Sequence, residues 1–350
     1  MKGTAAFWRR FWRGQAGWAL APLSLLLLPL ELLFSLGVSL RAWRWRRRSD
    51  RLPRNPIPVI AVGNLTVGGT GKTPVASWIL EHVLARGGHP ALVTRGYGRD
   101  EVMLHARWHP EVPIVVNRQR LQAVRDAACS GASVAVADDA FQHLALLRDL
   151  DVVLVAAEER FPGGLLPRGP YREPASALGR AGAVIVTRKS ASAADGERLA
   201  ARVGRYAPRA AVGRIHLAPT SWQSLDGSPS TAPTDAAFVV SSVGDPDSVE
   251  AAVADAGVAV VGGRAFPDHH EYSLSDIRSL LSAVGAHPMV TTEKDAVKFS
   301  AFADELQGVE VRVLRLQVVW EAGRAEIEQA IDSALNRAQT ALPDSGREAP

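Results

Sequence analysis

One short run of this sequence carries the residue types that phosphate chemistry needs, in workable spacing. In VIAVGNLTVGGTGKTPVASWIL, Gly68, Gly69 and Gly71 lead into Lys72 and Thr73, with Pro74 in the first turn of the helix that follows. Glycines let successive backbone N–H groups curl round phosphate oxygens, and a helix N-terminus adds its dipole to them. The ammonium of Lys72 can then bridge β- and γ-phosphates, while the Thr73 hydroxyl can ligate Mg2+. The strict form of this loop has glycine where Thr66 stands, but Gly68 and Gly69 still supply a pliable backbone. Thr66 to Thr73, with Val67 and Thr70 among the glycines, is therefore the expected ATP-binding loop.

Phosphoryl transfer with Mg2+ also asks for a carboxylate at the end of another buried strand. SVAVADDAFQH offers Asp138 and Asp139 directly after Val134 to Ala137. Either can order the metal or its water shell, and the spacing does not choose between them. The plainer reading of two adjacent acids is a polar turn or a helix cap. Gln142 and His143 are candidates for nucleotide or metal-shell contacts, or for caps of the next helix.

These groups need a frame, and the pattern of apolar runs supplies one. Val59 to Val62, Ala91 to Thr94, Val134 to Ala137, Val152 to Val155 and Val184 to Thr187 alternate with helical stretches, which predicts a parallel sheet covered by helices. A stretch rich in Pro, Ser, Thr and Asp, Ala218 to Asp235, then separates a second set: Ala237 to Ser241, Val258 to Val261, Met289 to Thr292 and Val311 to Leu316. The expected fold is α/β: a P-loop NTPase-like parallel sheet flanked by helices, a second smaller α/β domain, and an N-terminal membrane-anchoring helix. The expected boundaries are 1–54 for the anchor, 55–217 for the nucleotide-binding domain, 218–335 for the smaller domain and 336–350 for a flexible tail.

From Ala16 to Leu40 Glu31 is the sole charge. As a helix this run extends about 37 Å, against about 30 Å of bilayer hydrocarbon. Pro22, Pro29 and Glu31 weaken simple spanning, so a helix lodged in one leaflet competes with one that crosses. Trp8, Trp12 and Trp18 before the run, and Trp43 and Trp45 after it, are interleaved with arginines (Arg9, Arg10, Arg13, Arg41, Arg44, Arg46 to Arg48) as in an interfacial belt. The net charge of +4 is unevenly spread: residues 1 to 54 carry +9 and the rest −5. That points to anionic lipid headgroups at the N-terminus and away from nucleic acid. The single cysteine, Cys129, has no disulfide partner and no metal-ligand spacing, and is expected to be an inert packing residue.

Taken in order, VGNLTVGGTGKTP, TRGYGRD, DDAFQH, LLPRGPYREP, FPDHHEY and TTEKDAVK span residues 62 to 298, and together they resemble the tetraacyldisaccharide 4'-kinase (lipid A 4'-kinase) family. Each later motif is weak alone; their ordered co-occurrence is specific. The resemblance implies transfer of the ATP γ-phosphoryl group, with Mg2+, to the 4'-hydroxyl of a tetraacylated glucosamine disaccharide 1-phosphate, giving lipid IVA. It also implies work at the cytoplasmic face of the inner membrane of a Gram-negative bacterium, among inner-membrane lipids, with no nucleic acid and no obligatory protein partner.

By the same resemblance the base is Asp100, partnered by the His of the DHH motif, where His269 is favoured over His270. Here one residue, Arg99, separates Gly98 from Asp100, an interval shorter than the family pattern suggests. Arg172 contacts an anionic group of substrate or ATP, or else pairs with Glu173. Asn64, Arg95 and Tyr97 are further site candidates. Thr292, Glu293, Lys294 and Asp295 either shape the site or hold a domain interface. A membrane-associated partition ATPase shares GGTGKT but has Lys where Val67 stands. A P-loop kinase of a soluble metabolite gives no reason for the apolar anchor.

Overall fold

A computed structural model describes residues 7, 8, 10–12, 14, 17, 20–96, 98–234 and 236–341. Tyr97, Trp18, Arg9, Arg13 and the tail beyond Ala341 lie outside the described residues. The chain divides into two units, Met1–Arg95 with Glu111–Ile215 and Trp320–Pro350, and Gly96–Pro110 with His216–Val319. Residues 96–110 therefore fold with the later sequence, and the chain returns to the first unit from Trp320.

The first unit is built on β1 (Val59–Asn64), β2 (Pro90–Thr94), β3 (Ile114–Val116), β4 (Val134–Ala137), β5 (Leu150–Ala156) and β6 (Ala183–Arg188). They lie in the order β6-β5-β1-β4-β2-β3, with every pairing parallel. Strands β1, β2, β4 and β5 are buried along their whole length, which is why they read as unbroken apolar runs rather than alternating ones. Its helices are α1 (Leu20–Arg46), α2 (Lys72–Ala85), α4 (Arg120–Cys129), α5 (Ala193–Tyr206) and α9 (Arg324–Ala341). One core gathers Val59, Ala61, Val93 and Ala135 against Ala123, Val124 and Ala127 of α4. Another sets Val153, Val155, Val184 and Val186 against Leu199 and Val203 of α5. Cys129 does not pack as expected. It lies exposed at the end of α4, two residues past Ala127 and so turned away from the buried stripe.

After β1 the chain builds β2, β3 and β4 on one side and then β5 on the other, so the winding reverses at β1. Ligands of open parallel sheets sit outside the strand C-termini at such a reversal. The glycine-rich loop leaves β1 at that point. Pairing of Ala61 with Ala137 brings the turn after β4 alongside.

The second unit carries β9 (Ala236–Ser241), β10 (Ala259–Ala265), β11 (Met289–Thr292) and β12 (Val311–Ala322) in the parallel order β10-β9-β11-β12. Its helices are α3 (Arg99–Trp108), α6 (Pro246–Asp255), α7 (Leu274–Val284) and α8 (Glu293–Phe299), and α3 packs on α8. Phe266, Tyr272, Ile277, Leu280, Met289 and Phe299 form its main core. The stretch expected as a separator, 218–235, contains strand of its own. Strand β7 (Ala211–Gln223) runs into it and turns back on the short β8 (Pro229–Ser230), pairing Trp222 with Ser230. Burial of Ile215 and Leu217, two apart on one face, extends the strand despite Pro219.

Among the described residues one helix, α1, is long and apolar enough to cross a membrane. Its Leu25, Leu26, Leu32 and Leu33 are exposed, whereas Leu27 and Glu31, one turn apart, are buried.

β1 and the turn after β4 meet closely at Gly63: a Cβ there would lie 2.5 Å from Phe141 Cβ. Gly63→Ala is expected to destabilise the protein by about 1–3 kcal/mol, as overpacking a filled core does. Urea denaturation of the two proteins measures it, and an unchanged midpoint would show that Phe141 can give way.

Candidate active site

In the first unit the glycine-rich loop is held on all sides. Val67 N–H donates to the Pro170 carbonyl at 2.9 Å, Thr187 Oγ1 to the Thr70 carbonyl at 2.9 Å and Lys189 Nζ to the Gly69 carbonyl at 2.9 Å. Gly68 and Gly71 sit at φ 143 and 90. No side chain of the described residues caps α2, so its first N–H groups are left without a capping acceptor, as helix starts that receive anions are. Among the described residues Thr70 Oγ1 is buried with no hydrogen-bond partner. Lys72 Nζ donates to Asn64 Oδ1 at 3.3 Å and lies 3.6 Å from Asp139 Oδ1.

The two acids after β4 differ sharply. Asp138 is buried; its Oδ1 accepts the Asp139 N–H at 2.9 Å, and its carbonyl accepts from Arg120. Arg120 also donates to the Val93 carbonyl at 2.9 Å, and so ties together the ends of β2 and β4. At 2% exposure its guanidinium is pulled down by burial to about 10. Asp139 adopts φ 46, a left-handed conformation that Asp tolerates better than most residues. Burial alone would raise its carboxyl, but Lys72 and Arg172 outweigh that and hold it below the usual range.

Arg172 does not pair with Glu173. It meets Asp139 at 3.1 Å, while Glu173 takes Arg180 at 2.7 Å. Gln142 donates through Nε2 to the Asn64 carbonyl at 2.8 Å, and Arg41 of α1 donates to the Gln142 carbonyl at 2.7 Å. Arg95 lies 3.0 Å from His143 Nδ1. Burial first, then Arg95, Arg120, Arg148 and Arg41, push that imidazole down to about 4, so it is neutral at pH 7. Phe34, Val38 and Arg41 of α1, together with Arg95, Asp139, Gln142, His143 and Arg172, line one cavity of about 290 Å3. Apolar side chains and several cations thus share its wall.

The second unit brings together a different pair. His269 Nδ1 stands 2.8 Å from Asp100 Oδ1. Asp100 is buried, whereas the His269 side chain keeps 34% of its exposure. Burial would raise the Asp100 carboxyl, but its bond to His269 and the charges of Lys294, His269 and Lys298 hold it at about 2. His269 is raised above its usual 6.5, first by that bond and then by Asp268, against the opposing effect of burial. Gly98, at φ 89, lets the two approach: a Cβ there would come 2.9 Å from His269 Cε1.

His270 is elsewhere, 3.2 Å from Asp276 and stacked on Phe266. Glu293 accepts from Trp108 Nε1 at 2.8 Å and lies 3.5 Å from Arg315. Lys294 pairs with Glu101 at 2.6 Å, and Thr292 caps α8 over Asp295. Lys298, absent from the expected set, lies 3.5 Å from Asp100 and 3.7 Å from Asp295. Its position four residues after Lys294 in TTEKDAVK was the available signal. Arg41 is expected only as an arginine flanking the apolar run, and Arg120 is not among the expected residues; the contacts of both reach distant parts of the chain.

The family model described as tetraacyldisaccharide-1-P 4'-kinase matches residues 23–102 and 99–336. A tetraacyldisaccharide 4'-kinase of Anaeromyxobacter sp. (strain K) is 35% identical over 376 residues, covering 98% of each chain. One from Halorhodospira halophila is 36% identical over 292 residues, covering 78% of this chain and 83% of its own. The crystal structure of LpxK from Aquifex aeolicus in complex with ATP superposes with TM-score 0.70 at 23% identity, over 89% of this chain and 99% of that one, which supports the fold.

The shifts in the Asp100–His269 pair fix how it supports stability. The Asp100 contribution is complete above the ordinary carboxyl value of 3.8 and fades as pH falls through about 2. The His269 contribution is complete below 6.5 and fades as pH rises through its higher folded value. Asp100→Asn loses both, so its deficit in urea midpoint is expected to be widest between 3.8 and 6.5 and to shrink on either side. A deficit that does not vary with pH would mean that the pair is not coupled to folding.

Proposed function

The chain belongs to the tetraacyldisaccharide-1-P 4'-kinase family, and from that premise we propose that it moves the γ-phosphoryl group of ATP onto the 4'-hydroxyl of a tetraacylated glucosamine disaccharide 1-phosphate, giving lipid IVA. The observation that carries this reading is the cavity in which an apolar, membrane-type helix and the turn beside the phosphate loop share one wall. A lipid with a charged sugar head suits such a lining: its apolar part meets Phe34 and Val38, and its anionic groups meet Arg41, Arg95 and Arg172.

The residues at the loop suit ATP. An uncapped helix start, the ammonium of Lys72 and the unpartnered Thr70 hydroxyl are all donors for phosphate oxygens. They also suit Mg2+. Among the described residues no group of three or more His, Cys, Asp or Glu side chains gathers to hold a metal alone. Mg2+ is commonly bound by one or two carboxylates together with substrate phosphates. Thr73, Asp138 and Asp139 would hold it, and when bound it would neutralise charge on the transferring phosphoryl group. Lys72, now drawn to Asn64 and Asp139, would turn to the phosphates.

The acceptor hydroxyl must lose a proton; the resemblance makes Asp100 the base, but its burial and its value of about 2 favour His269 as the proton acceptor, with Asp100 as its partner. Asp100, held low and buried, stays ionised and orients the imidazole through Nδ1; His269 Nε2 is the member left to meet the hydroxyl. The helix α1 would sit in the inner membrane, and the arginines that follow it, Arg44 and Arg46 to Arg48, favour the cytoplasmic side for the rest of the chain. A substrate with four acyl chains stays in the bilayer, so its catalyst has to be there too.

In mixed micelles with labelled ATP, the protein is expected to put phosphate into the tetraacyl disaccharide 1-phosphate. Lys72→Ala is expected to lose about a hundredfold or more of kcat. ATP hydrolysis without a labelled lipid would sink the kinase reading. Because His269 is raised above 6.5, the acid limb of kcat/KM is expected above that value in the wild type and to move to lower pH in Asp100→Asn, with much reduced rate. A limb that stays put would remove the pair from proton transfer.

A further inference from the structure

Glu31 is the one charge in the apolar run from Ala16 to Leu40 and should be a liability in a membrane helix unless it is partnered. The structure gives it partners. It is 8% exposed, Oε1 accepts the Leu165 N–H at 2.7 Å, and Oε2 accepts from Arg168 Nε. Two further bonds hold α1 and the residues before it against the same body: Trp12 Nε1 donates to the Pro167 carbonyl at 3.1 Å, and Arg41 to the Gln142 carbonyl at 2.7 Å.

The loop gripped by Glu31 is tightly closed and leads into the site. Gly164 and Gly169 face each other so closely that a Cβ on Gly169 would meet the Gly164 carbonyl at 2.0 Å. From there Pro170 accepts the Val67 N–H of the phosphate loop, Arg172 N–H donates to the Leu65 carbonyl at 2.7 Å, and the Arg172 side chain reaches Asp139. An unbroken run of contacts therefore joins a carboxylate inside the apolar helix to the phosphate loop and its acid turn.

We infer that Glu31 is a positioning residue for the lipid acceptor. Its ion pair with Arg168 registers α1 on the loop from Gly164 to Arg172, so that Phe34, Val38 and Arg41 are fixed as the wall of the cavity that Arg172 also lines. Glu31 touches neither substrate. Its effect falls on acceptor binding, because the phosphate loop is held independently of α1 by Thr187 on the Thr70 carbonyl and Lys189 on the Gly69 carbonyl. This inference rests on the kinase reading above, and its test keeps the two apart.

Glu31→Gln, Glu31→Ala and the exchanged pair Glu31→Arg with Arg168→Glu are compared with the wild type in mixed micelles, with liposome flotation run in parallel. The single variants are expected to raise the acceptor KM about tenfold while the ATP KM stays within about twofold, and the exchanged pair to recover most of the loss. Flotation is expected to be unchanged, since the leucine face of α1 is intact. An unaltered acceptor KM in both single variants overturns the inference, and so does an equal rise in both KM values or failure of the exchanged pair to recover. Absence of lipid product even from the wild type overturns the kinase reading instead.

Discussion

Asp139 stands in a left-handed conformation between two cations, Lys72 and Arg172, and much of the first unit serves to keep it there. A carboxylate at the end of a buried strand is stable only if its charge is answered and its backbone is held. The answer comes from the phosphate loop on one side and the loop from Gly164 on the other. The hold comes from below, where Arg120 uses a buried guanidinium to fasten the carbonyls of Val93 and Asp138. Arg120 has no role at the surface; it trades the solvation of a charge for the geometry of a turn. Gly63 completes the arrangement by leaving room for Phe141.

The second unit solves a similar problem differently. Asp295 is fully buried and accepts from the Ser242 N–H at 3.0 Å, from Tyr272 at 2.9 Å and from Thr292 at 2.8 Å. Lys298 stands between it and Asp100, so one ammonium serves two carboxylates in a nearly dry setting. Breaking such a buried cluster on one side leaves a charge uncompensated. Asp100 is therefore a member of a network, and its low pKa reflects that network as well as its one bond to His269.

Much of this was legible in the residue order. Buried parallel strands announce themselves as apolar runs, and Gly68, Gly69 and Gly71 announce a tight turn leading into a helix. What stayed hidden was long-range. Nothing local in Gly96 to Pro110 says that it folds with residues more than a hundred positions later, and nothing in Arg324 to Ala341 says that the chain has returned to the first unit. Arg172 had a tempting neighbour in Glu173, but each found a partner elsewhere because partners are set by packing, not by adjacency. Pro219 and the serines around it mark a separator in the sequence, yet the burial of alternate residues through Leu217 carries strand β7 into it as far as Gln223. Glu31 looked like a flaw in a membrane helix for the same reason: its partners lie 134 and 137 residues away.

The wall that α1 contributes has a practical side. Removing residues up to Arg46 is the obvious way to obtain a water-soluble protein from a chain with so greasy a front end. Such a truncation would discard Phe34, Val38 and Arg41 along with the leucines, unroofing the cavity and uncovering the core against which Phe34 packs. A soluble fragment would thus be a different receptor from the whole chain, and ligands selected against it would be fitted to a surface that the intact molecule never presents.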